Sequence, residues 1–172
     1  MNSSLIDRLQ PYHDKGYVFK SCDKEWIVVL KKPDGVLTNE GRHDVMDKQY
    51  AKFRGNKLLV IDIVNKFDMS KKTNWARSKC YWFFSVVYKI GYNAEPNTFD
   101  ENIDNICSSG IHYFMSYESA YYYELEKIID GEYHCWADNG GLMLSCSYKD
   151  GLLDGIFQRW HGNGQLWADC KY

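Results

Sequence analysis

The chain has 172 residues, of which 45% are hydrophobic and 16% aromatic, and it carries a formal net charge of −2. This length is enough for one domain with a small appendage, and the slight negative charge provides no overall field that would attract nucleic acid or an anionic membrane. No stretch approaches the roughly 20 apolar residues of a membrane span, and the first residues lack the basic start and apolar core of a signal peptide. The sequence therefore predicts a protein without a transmembrane segment that is not secreted and works in a cytoplasm-like compartment.

The six cysteines never occur as Cys-x-x-Cys, so a zinc site has no local support. In a reducing compartment, cysteines of this kind are typically small buried hydrophobic residues. We therefore expect free thiols, and we expect the protein to hold neither a metal nor a cofactor.

The first third of the chain contains signals for one or two helices and several strands. Ser3 and Ser4 predict the start of a short helix, which Pro11 should stop. Lys-Pro-Asp-Gly at 32–35 predicts a turn, and the apolar residues between Val45 and Phe53 are spaced as one face of a short helix. Runs of β-branched and aromatic residues predict strands near 17–20, 26–31 and 57–65.

A basic stretch at 66–79 follows the third strand and is predicted to be a loop. Its cations surround an aromatic residue, and this combination can hold a nucleic-acid strand by phosphate contact and base stacking. The alternative is an ordinary solvated loop, which the slightly acidic chain favours. The candidate nucleic-acid contacts are Lys71, Lys72, Trp75 and Arg77.

The next elements complete a first domain. Residues 80–90 are apolar almost throughout and predict the longest strand, which we expect at the centre of a sheet. A further strand is predicted at 111–115, and Ser116 is placed to cap a helix that runs to about residue 129. We therefore predict an α+β domain at 1–130, mostly antiparallel β with a few helices.

The last 42 residues, 131–172, contain an internal repeat. Asn and Gly tolerate the positive φ of a tight hairpin turn, so each copy of the repeat predicts one β-hairpin and the two copies predict a small C-terminal β-hairpin repeat array. The equivalent positions are Gly131 and Gly155, Tyr133 and Phe157, Trp136 and Trp160, Asn139-Gly140 and Asn163-Gly164, Leu142 and Leu166, Cys146 and Cys170, and Tyr148 and Tyr172.

Two hairpins are too small to bury a core without help, because repeat arrays usually need about three units. The final strand also leaves a sheet edge that can pair with another strand. We expect this edge to be paired in a homodimer or covered by the N-terminal part, the alternative being a frayed terminus. The expected contact residues, whose alternative role is intramolecular packing, are Trp136, Trp160, Leu166, Trp167 and Tyr172.

Two stretches resemble known families. The repeat at 131–172 resembles MORN-type repeats in their variant form, which implies a single-layer β array used for protein or membrane association. Val-Tyr-Lys-Ile-Gly at 87–91 and Cys-Ser-Ser-Gly-Ile-His-Tyr-Phe at 107–114 resemble a domain of uncharacterised giant DNA virus proteins of the marseillevirus and mimivirus kind. That resemblance implies a viral protein in the host cytoplasm, the viral factory or the virion, and it implies no established activity.

An enzyme is the other interpretation of the central stretch. The order of a strand at Val87–Lys89, a Gly110–Phe114 strand and an Ala120–Tyr123 helix is similar to the core of ADP-ribosyltransferases. Lys89 would take the place of the NAD-holding Arg or His, and no residue matches the catalytic Glu, which implies an NAD-binding or inactive relative. His112 lacks an evident partner for general-base catalysis, so we expect it to order a loop through backbone hydrogen bonds.

Together these observations predict a non-enzymatic protein-interaction or scaffolding module that self-associates through its C-terminal repeats. The expected partners are a second copy of the chain and viral or host proteins. An ADP-ribosyltransferase-like fold and nucleic-acid association through the basic stretch are the two alternatives.

Overall fold

The computed structural model describes residues 1–78, 85–125 and 130–172. The described elements form an α+β fold in which every strand pairing is antiparallel. A six-stranded sheet has the order β3-β8-β1-β2-β4-β7, a two-stranded sheet pairs β5 with β6, and a four-stranded sheet has the order β12-β11-β10-β9. The strands of the six-stranded sheet are β1 (Val18–Cys22), β2 (Trp26–Lys31), β3 (Lys52–Gly55), β4 (Leu58–Asn65), β7 (Asn93–Ala94) and β8 (Ile111–Phe114).

The six-stranded sheet is covered on both faces, which explains why its central strands are apolar without alternation. In β2, Ile27 and Val29 pack on one face beneath the first helix, α1 (Ser3–His13), whose Leu5 is fully buried. Val28 and Leu30 point to the opposite face, where they join a second apolar cluster with side chains of β3 and β8. The strands predicted near 17–20, 26–31, 57–65 and 111–115 are thus present, with ends shifted by at most two residues.

The predicted end of the first helix was wrong. Asn2, not a serine, is the N-cap residue, and its side chain accepts a hydrogen bond of 2.9 Å from the backbone N–H of Leu5. Pro11 lies inside the helix, which continues to His13. Pro11 removes one interior hydrogen bond, but the backbone N–H of Asp14 still bonds the carbonyl of Gln10 at 2.9 Å and closes the last turn.

The second helix, α2 (Tyr117–Tyr122), begins where the sequence predicts, because the hydroxyl of Ser116 accepts a hydrogen bond from the backbone N–H of Glu118. It ends earlier than predicted, since Tyr123 is extended and Glu124 has a φ of 55°; residues 126–129 of the predicted helix lie outside the described ranges. Residues 45–53 are not helical, and Phe53 belongs to β3. Neither helix of the described part is long and apolar enough to cross a membrane.

The expected central strand at 80–90 was also wrong in its described part. Only β6 (Val87–Lys89) is a strand there, and it pairs with β5 (Trp75–Arg77) outside the six-stranded sheet. Its pattern is exposed, buried, exposed, so only Tyr88 points to the interior. Residues 79–84 lie outside the described ranges.

The remaining strands, β9 (Gly131–Trp136), β10 (Leu142–Lys149), β11 (Leu152–Trp160) and β12 (Leu166–Lys171), form the four-stranded sheet in sequential order. We call β9–β10 the first hairpin and β11–β12 the second hairpin. Both have the same register, because Tyr133 lies opposite Cys146 as Phe157 lies opposite Cys170. Each hairpin also has an irregularity at the equivalent position of its second strand, where one residue has no partner across the pair. This extra residue is Met143 in the first hairpin and Trp167 in the second.

The turn of the first hairpin is fixed to the N-terminal part of the chain. The Asn139 carbonyl accepts hydrogen bonds from the backbone N–H groups of Met46 (2.9 Å) and Asp47 (3.2 Å), and the Asp138 carbonyl accepts one from Lys52 (3.0 Å). The Lys52 ammonium lies 2.8 Å from the Asp138 carboxylate. Burial opposes ionisation of both groups, but the ion pair outweighs it, so the pKa of Lys52 is raised and that of Asp138 is lowered.

We expect Gly140→Ala to destabilise the protein much more than Gly164→Ala. Both glycines occupy the same turn position, with φ of 88° and 83°, so each alanine costs about 1–2 kcal/mol in backbone strain. A Cβ at Gly140 would also lie 2.0 Å from the Asp47 carbonyl oxygen, whereas at Gly164 the nearest atom is the Met46 methyl group at 3.5 Å. Urea unfolding monitored by tryptophan fluorescence measures both changes, and equal destabilisation would contradict the docking of the first turn.

Candidate functional site

The five predicted contact residues of the C-terminal sheet do not share one environment. Trp136 lies in the first hairpin and stacks on Tyr50, with ring centroids 4.6 Å apart and planes 3° from parallel. Trp136 is thus an intramolecular contact, as its alternative role predicted. Trp160 is half-buried, whereas Leu166, Trp167 and Tyr172 are at least half exposed.

The second hairpin exposes several large apolar side chains that have no cover in the described part of the chain. Leu152 is 73% exposed and Ile156 60%, although neither was among the predicted contacts. The Arg159 guanidinium lies 4.4 Å from the centre of the Trp167 ring, and the Tyr172 ring meets Phe157 edge to face. The exposed surface is therefore concentrated on β11 and β12, beyond the docked first hairpin.

Strand β12 also leaves one row of backbone groups without a strand partner among the described residues, because it is the outer strand of its sheet. Gly155 and Tyr172 exchange both backbone hydrogen bonds, at 3.2 and 2.8 Å. Residues of an antiparallel strand alternate between facing the partner strand and facing away from it. The N–H and C=O groups of Asp169 and Lys171 therefore point outward, away from β11.

The basic stretch predicted as a loop contains the strand β5 and is less uniform than the sequence indicates. Lys66 is 2% exposed and donates a hydrogen bond of 2.8 Å to the Ser21 hydroxyl, and burial lowers its pKa to about 8. Lys71 lies 3.5 Å from the Glu25 carboxylate. Trp75 and Arg77 point to solvent from β5, and Lys72 is exposed just before it.

Arg54 is a structural residue that the sequence does not reveal. It is fully buried, and its guanidinium donates hydrogen bonds to four backbone carbonyls of the loop that precedes β8. These bonds are 2.6–2.9 Å long, and their acceptors are Asp100, Asn102, Asn105 and Ser109. A lone arginine in a short strand carries no sequence signal for this role, because its partners are backbone atoms of any residue type.

A cleft of about 590 Å³ lies where β1 and β8 separate, beside this loop. Lys20, Lys52 and His112 line it. His112 bonds the Ile106 carbonyl at 3.1 Å, so it orders the loop as predicted. Burial, together with the nearby Lys20, Lys52 and Arg54, lowers the pKa of His112 to about 4.

The thiols of the described residues are free, and two of them depart from the prediction that cysteines are buried. Cys22 and Cys146 are buried, but Cys107 and Cys170 are exposed; Cys80 lies outside the described ranges. Cys107 lies in the same cleft, 3.4 Å from the Lys52 ammonium and 3.3 Å from the Asp138 carboxylate. Within the described ranges, no three His, Cys, Asp or Glu side chains are grouped so that they could hold a metal ion.

The neutral state of His112 predicts a loss of stability in mild acid. Its pKa is 6.5 in the unfolded chain and about 4 in the folded protein, so the unfolded state takes up a proton first as the pH falls. The contribution of neutral His112 to the free energy of unfolding is complete above about pH 6.5. It declines toward pH 4, by about 2 kcal/mol between pH 7 and pH 5. Urea unfolding at these two pH values measures the decline.

The variant His112→Gln can still donate a hydrogen bond and should remove that part of the decline. His161→Gln is the control for the loss of a histidine, because His161 is exposed between β11 and β12, outside the cleft, so the decline caused by His112 should persist. If the free energy of unfolding of the wild type and of His112→Gln fell equally between pH 7 and pH 5, His112 would be protonated in the folded protein, which would contradict the prediction.

The comparisons with known proteins concern the first part of the chain. The model of a family of unknown function (DUF5758) matches residues 7–120, well over half of the chain and the part that holds the six-stranded sheet, the cleft and the Arg54 loop. Nothing among the curated proteins and nothing among the solved structures matches the chain. The matched range does not include the four-stranded sheet. Because the match covers well over half of the chain, the chain belongs to the DUF5758 family of unknown function.

Proposed function

We propose that this protein is a non-enzymatic protein-interaction module that self-associates through its C-terminal sheet, and that the two hairpins of this sheet are MORN-type repeats. The observation that carries the proposal is the difference between the hairpins. The first is fixed to the N-terminal part by its turn and by Trp136, whereas the second exposes large apolar side chains and an unpaired strand edge.

The partner that best fits the edge of β12 is a second copy of the same strand. Two copies can pair antiparallel about a twofold axis, which places Cys170 opposite Cys170 of the second copy. Asp169 then lies opposite Lys171 of the second copy, and Lys171 opposite its Asp169. Opposite charges directly across two strands are stabilising.

The neighbouring registers of the same pairing are unfavourable, which gives the edge one preferred alignment. A shift in one direction places Asp169 opposite Asp169 of the second copy, and a shift in the other places Lys171 opposite its own equivalent. Like charges directly across a strand pair are destabilising. Within the described part of one chain neither charge belongs to an ion pair: Asp169 lies opposite Gln158, whose side-chain amide donates a hydrogen bond of 3.5 Å to it, and Lys171 lies opposite Ile156.

The preferred register also extends the side-chain pattern of the sheet. It places Tyr172 opposite Ala168 of the second copy, so an aromatic ring again faces a small residue, as Tyr172 faces Gly155 within the chain. The ladder is short, from Ala168 to Tyr172, so the contact is expected to belong to the small, weak class of interfaces. A weak contact of this kind suits a scaffold in which further partners add binding sites.

The resemblance to giant-virus proteins bears on where the assembly would act. We propose the host cytoplasm or the viral factory, with the virion as the third location, and viral or host proteins as further partners of the exposed hairpin. The ADP-ribosyltransferase alternative is less well supported, because the Lys89 strand and β8 belong to different sheets.

Charge reversal on β12 tests the self-association. Asp169→Lys and Lys171→Asp should each weaken the dimer roughly tenfold, because each replaces two attractive pairs by two repulsive ones. The double variant restores opposite charges across the axis and should recover the wild-type affinity. Sedimentation velocity over a range of protein concentrations at low salt measures the dimer fraction.

Lys149→Asp is the matched control for a general effect of charge, because Lys149 ends β10, an inner strand of the same sheet. A monomer at every concentration would overturn the proposed self-association. A double variant that dimerises less than either single variant would overturn the register.

Cys170 provides a separate test of the register. At the twofold axis the two Cys170 residues would form a pair without backbone hydrogen bonds, with Cα atoms about 4.5 Å apart, a distance that suits a disulfide. Diamide, which takes up the two electrons and two protons released, should therefore link wild-type protein and Cys107→Ser into covalent dimers but leave Cys170→Ser monomeric. Linkage that depends on Cys107 instead would contradict the alignment.

A further inference from the structure

The exposed face of the two-stranded sheet β5–β6 has a composition that the proposed self-association does not use. Trp75 lies directly opposite Lys89, and Arg77 lies opposite Val87. All four of these residues are exposed, whereas Ala76 and Tyr88 between them are buried on the other face. The solvent side of this sheet therefore carries two cations, a tryptophan and a valine, and no carboxylate.

Two residues next to the strands enlarge this face. Tyr92 follows β6, is 59% exposed, and has the Lys89 ammonium 4.6 Å from the centre of its ring. Lys72 is exposed three residues before Trp75. We call the surface formed by Lys72, Trp75, Arg77, Lys89 and Tyr92 the basic aromatic face.

The cations of this face are available to an external anion. Neither Lys72, Arg77 nor Lys89 lies within ion-pair distance of a carboxylate in the described ranges, whereas the neighbouring Lys71 is paired with Glu25. The net charge of −2 for the whole chain hides this local excess of positive charge. Local charge decides the contact, because exposed charges further away than about 10 Å are screened at ordinary ionic strength.

The aromatic side chains are also in an unusual position. Trp75 is 55% exposed, and its ring has no aromatic neighbour among the residues that the structure describes. An exposed indole ring is a surface on which a nucleic-acid base can stack, and stacking tolerates any base sequence. The mixture of unpaired cations with exposed rings therefore matches the chemistry of a phosphate backbone with unstacked bases.

We propose that the basic aromatic face binds single-stranded nucleic acid, with Lys72, Arg77 and Lys89 on the phosphates and Trp75 and Tyr92 on the bases. A duplex fits less well, because its bases are stacked on one another and cannot reach the rings. This site lies on the DUF5758 part of the chain, apart from the edge of β12.

The test is fluorescence anisotropy of a labelled oligothymidylate of about 12 nucleotides, titrated with the full chain, with a duplex of the same length as comparison. Three phosphate contacts predict a loss of affinity of about twentyfold when the salt concentration rises from about 50 to about 200 mM. Trp75→Ala should weaken binding by about fivefold or more through lost stacking, and Arg77→Gln should reduce the salt dependence by about one contact.

Matched controls come from the second hairpin. Trp167 is 56% exposed and lies beside Arg159, so Trp167→Ala and Arg159→Gln make the same chemical changes away from the basic aromatic face. Both controls should bind the oligonucleotide as the wild type does, and circular dichroism of all four variants checks that each is folded.

Several results would overturn the proposal. The first is that no binding occurs at about 50 mM salt and protein concentrations of about 200 μM. The second is that the duplex binds with equal affinity, and the third is that Trp75→Ala and Arg77→Gln leave the binding unchanged. Equal loss of binding in all four variants would show that this face does not hold the strand.

Discussion

The attachment of the first hairpin turn to the N-terminal part is the constraint on which the arrangement of the C-terminal sheet depends. Arg42 is buried against this turn and donates hydrogen bonds to the carbonyls of Lys52 and Asp138. Its charge is paired with the Asp44 carboxylate at 2.7 Å, and its guanidinium also bonds backbone oxygens of both parts of the chain, beside the Lys52–Asp138 ion pair. Removing either part would leave buried polar groups without partners, which is costly. The two parts are therefore expected to fold together.

The same attachment distinguishes the two hairpins. The second hairpin has Gly162 at the position of Asp138 in the first, so its turn has no carboxylate for an ion pair. The aromatic pair differs as well, because Trp136 stacks on Tyr50 while Trp160 lies half-buried in the second hairpin. One hairpin thus packs on the N-terminal part of the chain, and the far side of the other is exposed.

The sequence was most informative where one physical rule acts alone. Tyr133 lies opposite Cys146 and Phe157 lies opposite Cys170, at positions that correspond in the sequence, because turn geometry fixes register. Long apolar runs located β2 and β4, since both faces of the sheet are covered. The N-cap at Ser116 was likewise visible from local chemistry.

The predictions from the sequence failed where tertiary contacts override the local preference of a segment for one secondary structure. Residues 45–53 have helical spacing, but the backbone of Met46 and Asp47 bonds the distant Asn139 instead. Arg54 and Arg42 act on backbone carbonyls, whose positions no sequence pattern shows. The basic stretch divides into a buried Lys66, which bonds Ser21 of β1, and an exposed Trp75 in β5. Strand β5 pairs with β6, which lies on the other side of the segment 79–84 in the sequence.

The central claim is that the outer edge of β12 pairs with a second copy, and residue-resolved amide hydrogen exchange as a function of protein concentration tests it most directly. The amides of Cys170 and Tyr172 face β11 and should exchange slowly at every concentration. Those of Asp169 and Lys171 face outward and should become protected only as the concentration rises. Exchange at Asp169 and Lys171 that stays fast and independent of concentration would contradict the account.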